Sequence, residues 1–291
     1  MLEHINARYQ TSFRMLGRYP VGESGAFRVV DARGARCVLK WSPYADQLPL
    51  IHAAARVTDQ LRPLGYPTPR YVLFGSLHEG SFGIQHALPG RPREIAHTET
   101  IERLVALNDL QSGRGSWLAE AFPARPTWAD EVVRAVTDGY PEYDYCVLQS
   151  LITYSATTSN LLEVLQNFVK RHADEVAASP GDDIVHFDFS HANILLLRER
   201  VVGVVDWEGV RAGDRLFDLA TLLFYTVPVA AVHDRLWQLA LERGRPGVLG
   251  VYLAHMIVRQ VDFSIRHHTA AAVEHWLTCA SGLLRNLDTV Q

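Results

Sequence analysis

His186-Phe187-Asp188-Phe189-Ser190-His191-Ala192-Asn193 runs into the apolar stretch Ile194-Leu195-Leu196-Leu197, turns at Arg198-Glu199-Arg200, returns through Val201 to Val205, and ends on Asp206-Trp207-Glu208. Two apolar runs around a short polar turn predict a tight β-hairpin. In an antiparallel hairpin the residue before the first strand lies beside the residue after the second. Asn193 and Asp206 therefore meet at the open end. Two oxygen donors brought together this way make a seat for Mg²⁺, with phosphate oxygens and water completing the shell. Asp188 lies five residues before Asn193, on the loop feeding the same end. A carboxylate there can accept the proton of an attacking hydroxyl. Asp and Asn in loops often only cap turns. The joint pattern of H-x-D-x-x-x-x-N, hairpin and D-W-E is far more specific than any of its residues alone.

Upstream, Phe27-Arg28-Val29-Val30 and Cys37-Val38-Leu39-Lys40 flank Asp31-Ala32-Arg33-Gly34, a second hairpin signal. From Pro49 to Arg62 the recurrence of Leu50, Ala54, Val57 and Leu61 predicts a helix, with Pro49 suited to its first turn. Tyr71-Val72-Leu73-Phe74 and Phe82-Gly83-Ile84-Gln85 read as two more strands, and Leu88-Pro89-Gly90-Arg91-Pro92 as a linker. Beyond it the pattern is mainly helical, with amphipathic stretches at Ile101 to Leu110, at Leu161 to Ala177 and after Leu216. The expected division is a β-rich lobe over residues 1–90 and a larger α-helical lobe over 91–291.

The chain has 291 residues, 48% hydrophobic and 21% charged, with a net charge of −4. That length suits two lobes sharing a cleft, and the balance excludes the basic footprint of a nucleic-acid binder. Cys37, Cys146 and Cys279 are scattered without CxxC spacing, which argues against a disulfide framework or a zinc site and for reduced thiols in a cytoplasm. Met1 to Gln10 is too polar for a signal peptide, and no uninterrupted apolar run approaches the ~18 residues of a membrane span.

His186-Phe-Asp188 with Asn193, then Val204-Val205-Asp206-Trp207-Glu208, resembles the signature of aminoglycoside phosphotransferases and choline kinases, cousins of the protein kinases. Gly213-Asp214 and Phe217-Asp218-Leu219-Ala220 match the stretch that commonly comes next. The resemblance is specific over residues 184–222 and looser elsewhere. It implies an α+β, bilobal, protein-kinase-like fold and a small-molecule kinase that uses ATP or GTP with Mg²⁺. In that family Asp188 would be the catalytic base, and Asn193 and Asp206 the metal ligands. His186 would brace the loop, and Asp218 would tie the helix starting at Leu216 to it. Lys40 would contact the α- and β-phosphates, and the turn at Gly22-Glu23-Ser24-Gly25 would lay backbone N–H groups over them, Ser24 and Gly25 foremost. The hinge reading adenine would fall between Ile84 and Gly90, at Gln85, His86 and Ala87. Such backbone readout does not separate ATP from GTP. The chain departs from the family at one place. A helix Glu usually pairs with the lysine, and counting back from Pro67-Thr68-Pro69 puts Ala55 at that position, with Asp59 one turn further on.

The family places the acceptor beside a variable insertion, which residues 115–160 fit. That segment carries Glu120, Asp130, Glu131, Asp138, Glu142 and Asp144 against Arg125 and Arg134, and Tyr140 to Tyr145 mixes acids with rings. Carboxylates pair with ammonium groups and rings accept cations. The expected acceptor is therefore cationic, an aminoglycoside or a viomycin-type basic peptide antibiotic, held by Asp138, Glu142, Tyr143 and Asp144. Choline, a sugar, an amino-acid-derived alcohol and a macrolide are the alternatives. Acids on exposed helices are, however, usually only solvated. The partners expected are this acceptor and the nucleotide, in a monomer or homodimer. A competing reading makes His186, Asp188 and His191 the ligands of a metal-dependent hydrolase; another makes the chain an inactive kinase-like binding protein.

Overall fold

The fold is that of a computed structural model, which describes residues 1–19, 25–77, 80–118 and 126–288. Two compact units divide the chain. The first comprises Met1–Arg93, Trp117–Pro123 and Ala192–Val210; the second comprises Glu94–Ser116, Ala124–His191 and Arg211–Gln291.

Helix α1 (Leu2–Tyr9) opens the chain and is followed by strands β1 (Arg14–Arg18), β2 (Phe27–Val30) and β3 (Arg36–Ser42). Helix α2 (Leu48–Leu61), β4 (Tyr71–Leu77), β5 (Gly80–His86) and the two-residue β6 (Arg91–Pro92) complete the segment. β1 to β5 form one sheet in the order β1-β2-β3-β5-β4, antiparallel throughout. The β2–β3 turn closes as its sequence dictates. The Asp31 carboxylate accepts from the N–H groups of Arg33 (2.9 Å) and Ala35 (2.8 Å), and Gly34 takes a left-handed φ of 85°.

Successive side chains of a strand face opposite ways. Cys37 and Leu39 of β3 join Val29, Phe82 and Ile84 in the core, where Ile5 and Phe13 also pack. Val38 and Lys40 therefore belong to the other face. There Lys40 stands opposite Gly83 of β5, and Ile51 of α2 comes against that glycine. The sequence reading did not anticipate α1. The helix is short and polar, and Ile5 is its one buried residue.

The second unit holds α3 (Thr98–Asp109), α4 (Trp128–Thr137), α5 (Leu148–Tyr154), α6 (Ala156–Ala177) and β7 (Asp183–Val185). Ser155 and Thr158 form a capping box that starts α6. The chain then returns to the first unit for β8 (Ile194–Leu197) and β9 (Arg200–Val204), paired Ile194 to Val204 and Leu197 to Arg200. Arg198 and Glu199 carry the turn at φ 48° and 61°, the two-residue geometry that suits strand twist. β6 adds a third strand beside β8. Gly90 (φ 90°) makes this possible, since a Cβ there would lie 2.8 Å from the Leu196 carbonyl oxygen.

β10 (Arg211–Gly213) pairs with β7, and α7 (Leu216–Thr226), α8 (Ala230–Leu241), α9 (Pro246–His267) and α10 (Ala270–Asp288) complete the chain. Among the described residues, α9 alone is long and apolar enough to cross a membrane. Every residue from Gly247 to Val258 in it is buried, as in a helix packed on all sides by its own unit.

Candidate active site

In the first unit the open end of the β8–β9 hairpin is closed by the Val205 N–H, which donates to the Asn193 carbonyl at 2.9 Å. Asn193 and Asp206 thus sit at one end, as strand pairing requires. Trp207 anchors the hairpin tail. Its ring is buried against Tyr66, and its indole N–H donates to the Val204 carbonyl at 2.9 Å. With that anchor behind it, Asp206 (φ 69°) leaves its side chain 52% exposed.

Lys40 reaches the same place from β3. Its Nζ lies 2.6 Å from Oδ1 of Asp206 and 2.7 Å from Oε2 of Glu208. The Tyr71 hydroxyl donates to the other Glu208 oxygen at 2.9 Å. Burial opposes the charge on Lys40, but the Glu208 and Asp206 carboxylates outweigh it and hold its pKa above the ordinary lysine value. Burial pushes Glu208 up despite the nearby ammonium, and pushes Tyr71 up further. Lys40, Asp206 and Glu208 border a cavity of about 450 Å³ that Arg18, Gly25 and Ile51 also line, a volume within the range of small-ligand pockets.

Of the expected nucleotide-side residues, Lys40, Asp206 and Gly25 border this cavity. Ser24 lies outside the described residues. The hinge differs from expectation. The His86 N–H donates to the Arg70 carbonyl and the Ala87 N–H to the Arg36 carbonyl, each at 2.9 Å, so the sheet and its flank already use both. Gln85 is buried. Asp59 is bound to Arg62 at 2.8 Å and Ala55 is buried; the lysine takes its carboxylates from Asp206 and Glu208.

In the second unit Asp218, fully buried on α7, gathers the loop that carries Asp188. Its carboxylate accepts from the N–H groups of His186 (2.8 Å) and Phe187 (3.0 Å) and from Gln111 Nε2 (2.8 Å). Phe187 takes φ 72°, a left-handed conformation that costs a residue with a Cβ about 1–2 kcal/mol. Its ring stacks on Phe217 (5.0 Å between centroids, 6° between planes), and the Arg211 guanidinium sits 4.1 Å over it. Arg259 of α9 holds the far side. Nη1 donates to the Phe187 carbonyl at 2.9 Å, and Nη2 lies 3.6 Å from the Asp188 carboxylate. His186 is buried, and its Nδ1 accepts the Asp188 N–H at 3.3 Å. Its buried ring is braced within the loop. His191 packs its ring on Tyr225.

Two of the acids expected to meet a cationic acceptor have internal partners. Asp138 lies 3.7 Å from Arg134, and Asp144 pairs with Arg266. Arg266 also binds the buried Asp262, which accepts from Val147 N–H (3.0 Å) and Ser150 Oγ (2.7 Å). Tyr143 is 75% exposed, and the Glu142 side chain lies outside the described residues. Sequence reasoning gave no role to Arg18, Tyr71, Glu208 or Arg259. Glu208 alone had a visible signal, as the last letter of D-W-E.

The sequence profile of a family described as APH, phosphotransferase enzyme family, matches residues 18–250. No curated protein matches the sequence significantly. Among solved structures, a thermostable mutant of the aminoglycoside phosphotransferase APH(4)-Ia in its apo form superposes with a TM-score of 0.70 at 17% identity, over 98% of this chain and 99% of that one. Another thermostable mutant of that enzyme, in ternary complex with ADP and hygromycin B, gives 0.66 at 18%, over 97% of each chain. Macrolide 2'-phosphotransferase MphH from Brachybacterium faecium gives 0.60 at 18%, over 96% and 97%. At these identities the superpositions establish the fold.

Proposed function

Because the chain belongs to the phosphotransferase enzyme family, we propose that it transfers the γ-phosphoryl group of ATP or GTP to a hydroxyl of a small molecule with the help of Mg²⁺. The observation that carries this reading is the meeting of Lys40, Asn193 and Asp206 at one hairpin mouth beside a nucleotide-sized cavity.

The residues fit the metal. Asn193 and Asp206 offer hard oxygen donors, and Mg²⁺ takes the rest of its shell from water and phosphate. Among the described residues no group of three or more His, Cys, Asp or Glu could hold an ion as a zinc hydrolase would. When bound, the ion would neutralise charge on the phosphates. Lys40 and Arg18 supply further positive charge along the cavity, and Gly25 lets the backbone approach it. Asp188 accepts the proton of the acceptor hydroxyl, on a loop held by Asp218 and Arg259.

For the acceptor, the acidic, aromatic segment around Tyr143 supports a cationic compound such as an aminoglycoside or a basic peptide antibiotic. The pairing of Asp138 and Asp144 with arginines, and Arg259 beside Asp188, favours the second reading: a less cationic alcohol such as a macrolide or a sugar. Three scattered, buried, free cysteines support a reducing, cytoplasmic setting. A transfer screen over basic antibiotics, macrolides, choline and sugars, read as the mass gain of one phosphoryl group, tests both readings. Asp188→Asn should cut turnover by ~10²-fold while nucleotide still binds; full activity in that variant would refute the base assignment.

A further inference from the structure

Lys40 has two carboxylate partners that differ in every respect but distance. Asp206 is 52% exposed, while the Glu208 side chain is 20% exposed and its second oxygen is fixed by the Tyr71 hydroxyl. Helix α2 offers the lysine nothing comparable. Gln47 and Ile51 line the cavity, and four-residue spacing from them leads to Ala55 and Asp59. Ala55 has no charge, and Asp59 is exposed and bound to Arg62.

The sheet is shaped to admit the tyrosine. Gly83, opposite Lys40, would with a Cβ meet Tyr71 Cε1 at 3.2 Å and Ile51 Cγ2 at 3.3 Å. A side chain at 83 would crowd the ring whose hydroxyl secures Glu208.

We propose that Glu208, secured by Tyr71, is the fixed positioning residue for Lys40 in this chain and replaces a helix carboxylate that α2 lacks. The proposal rests on the kinase reading. On that reading, Asp206 is the exchangeable partner: as metal ligand it leaves the ammonium when Mg·nucleotide binds, and Glu208 keeps Lys40 in place. Lysine position is then coupled to the hairpin tail at Trp207–Gly209, which packs on α2, and not to a charge on the helix itself.

A double-mutant cycle tests this with phosphate release from Mg·ATP, and Mg·GTP in parallel, without acceptor. Glu208→Gln should lower kcat/KM by ~10-fold or more, the scale of losing one preorganised charge contact. Lys40→Met should lower it at least as far. The double variant should fall within ~2-fold of Lys40→Met, because both changes break one interaction. The magnesium concentration for half-maximal rate should stay at the wild-type value in Glu208→Gln. Losses that multiply in the double variant, or a raised magnesium requirement with normal turnover at saturating metal, would overturn the proposal and make Glu208 a metal ligand. Should Glu208→Gln fail to fold, Tyr71→Phe takes its place in the cycle, with a ~3-fold loss expected from one hydrogen bond; additivity with Lys40→Met refutes equally. A wild-type protein that neither binds nor hydrolyses either nucleotide would sink the kinase reading itself, a result distinct from an additive cycle in an active enzyme.

Discussion

Replacing Asp218 with alanine removes the acceptor of three hydrogen bonds at a position with no solvent exposure. Bonds to an ionised acceptor are worth about 1.5–3 kcal/mol each, and a buried donor left unpaired costs about 1–3 kcal/mol. Burial acts against these gains, since it pushes the Asp218 carboxyl above its ordinary pKa even with His186 and the N–H donors beside it. The net loss should therefore be about 3–5 kcal/mol, the range for breaking a buried charged cluster by deleting one member. For a chain of this size each kcal/mol moves the melting temperature by about 2–4 °C, so a drop on the order of 10 °C is expected. Function should suffer separately. Phe187 keeps its left-handed φ only because its N–H, carbonyl and ring are all held. Without the carboxylate it can relax to negative φ, which rotates the next peptide and moves Asp188. Thermal melting monitored by tryptophan fluorescence, with nucleotide turnover in parallel, reads both effects. Asp218→Asn, which keeps the shape and one acceptor, should fall between. An alanine variant melting within ~2 °C of wild type and turning over normally would refute this account, because the loop would then be held by something else.

Arg259→Met should lower kcat about 10-fold with little change in nucleotide KM, since the lost contacts are to Asp188 and the Phe187 carbonyl; Arg259→Lys should recover part of it, and steady-state kinetics decide. His255 is buried beside Tyr145, and burial, then Arg259 and Arg211, push its pKa well below the ordinary value. As pH falls through ~6.5 the unfolded chain takes a proton there that the folded chain refuses, so stability is lost on acidification until the folded value is reached. His255→Gln should flatten the melting-temperature slope between about pH 5 and 7, and an unchanged slope would exclude His255 as its source. Gly83→Ala should displace the Tyr71 ring, costing about 1–3 kcal/mol by overpacking and raising nucleotide KM; unfolding in urea and initial-rate kinetics test the two parts.

How much of the molecule is legible in its sequence depends on how far each contact reaches along the chain. The β2–β3 turn, the stripe of α2 and the β8–β9 hairpin are set by neighbours within a few residues, so turn chemistry and periodicity expose them. The nearness of Asn193 and Asp206 is legible for the same reason: one hairpin brings the two together without help from distant segments. The sheet order β1-β2-β3-β5-β4 is not local, and neither are the contacts that tune the site. Glu208 meets Lys40 across 168 positions, and Arg259 meets Phe187 across 72. Counting along α2 could show that a carboxylate is missing at Ala55, but not which residue replaces it, because the replacement comes from the opposite end of the unit's sequence. The acidic segment misleads by the same mechanism. Asp144 reads as a free charge in the sequence, and only the fold brings Arg266 to it from 122 positions away. A count of acids and bases in one insertion therefore overstates its negative field wherever a neighbouring helix supplies arginines. Here α9 carries both Arg259 and Arg266, so the charge around Asp188 and Asp144 is set by α9 as much as by the acids of the segment itself.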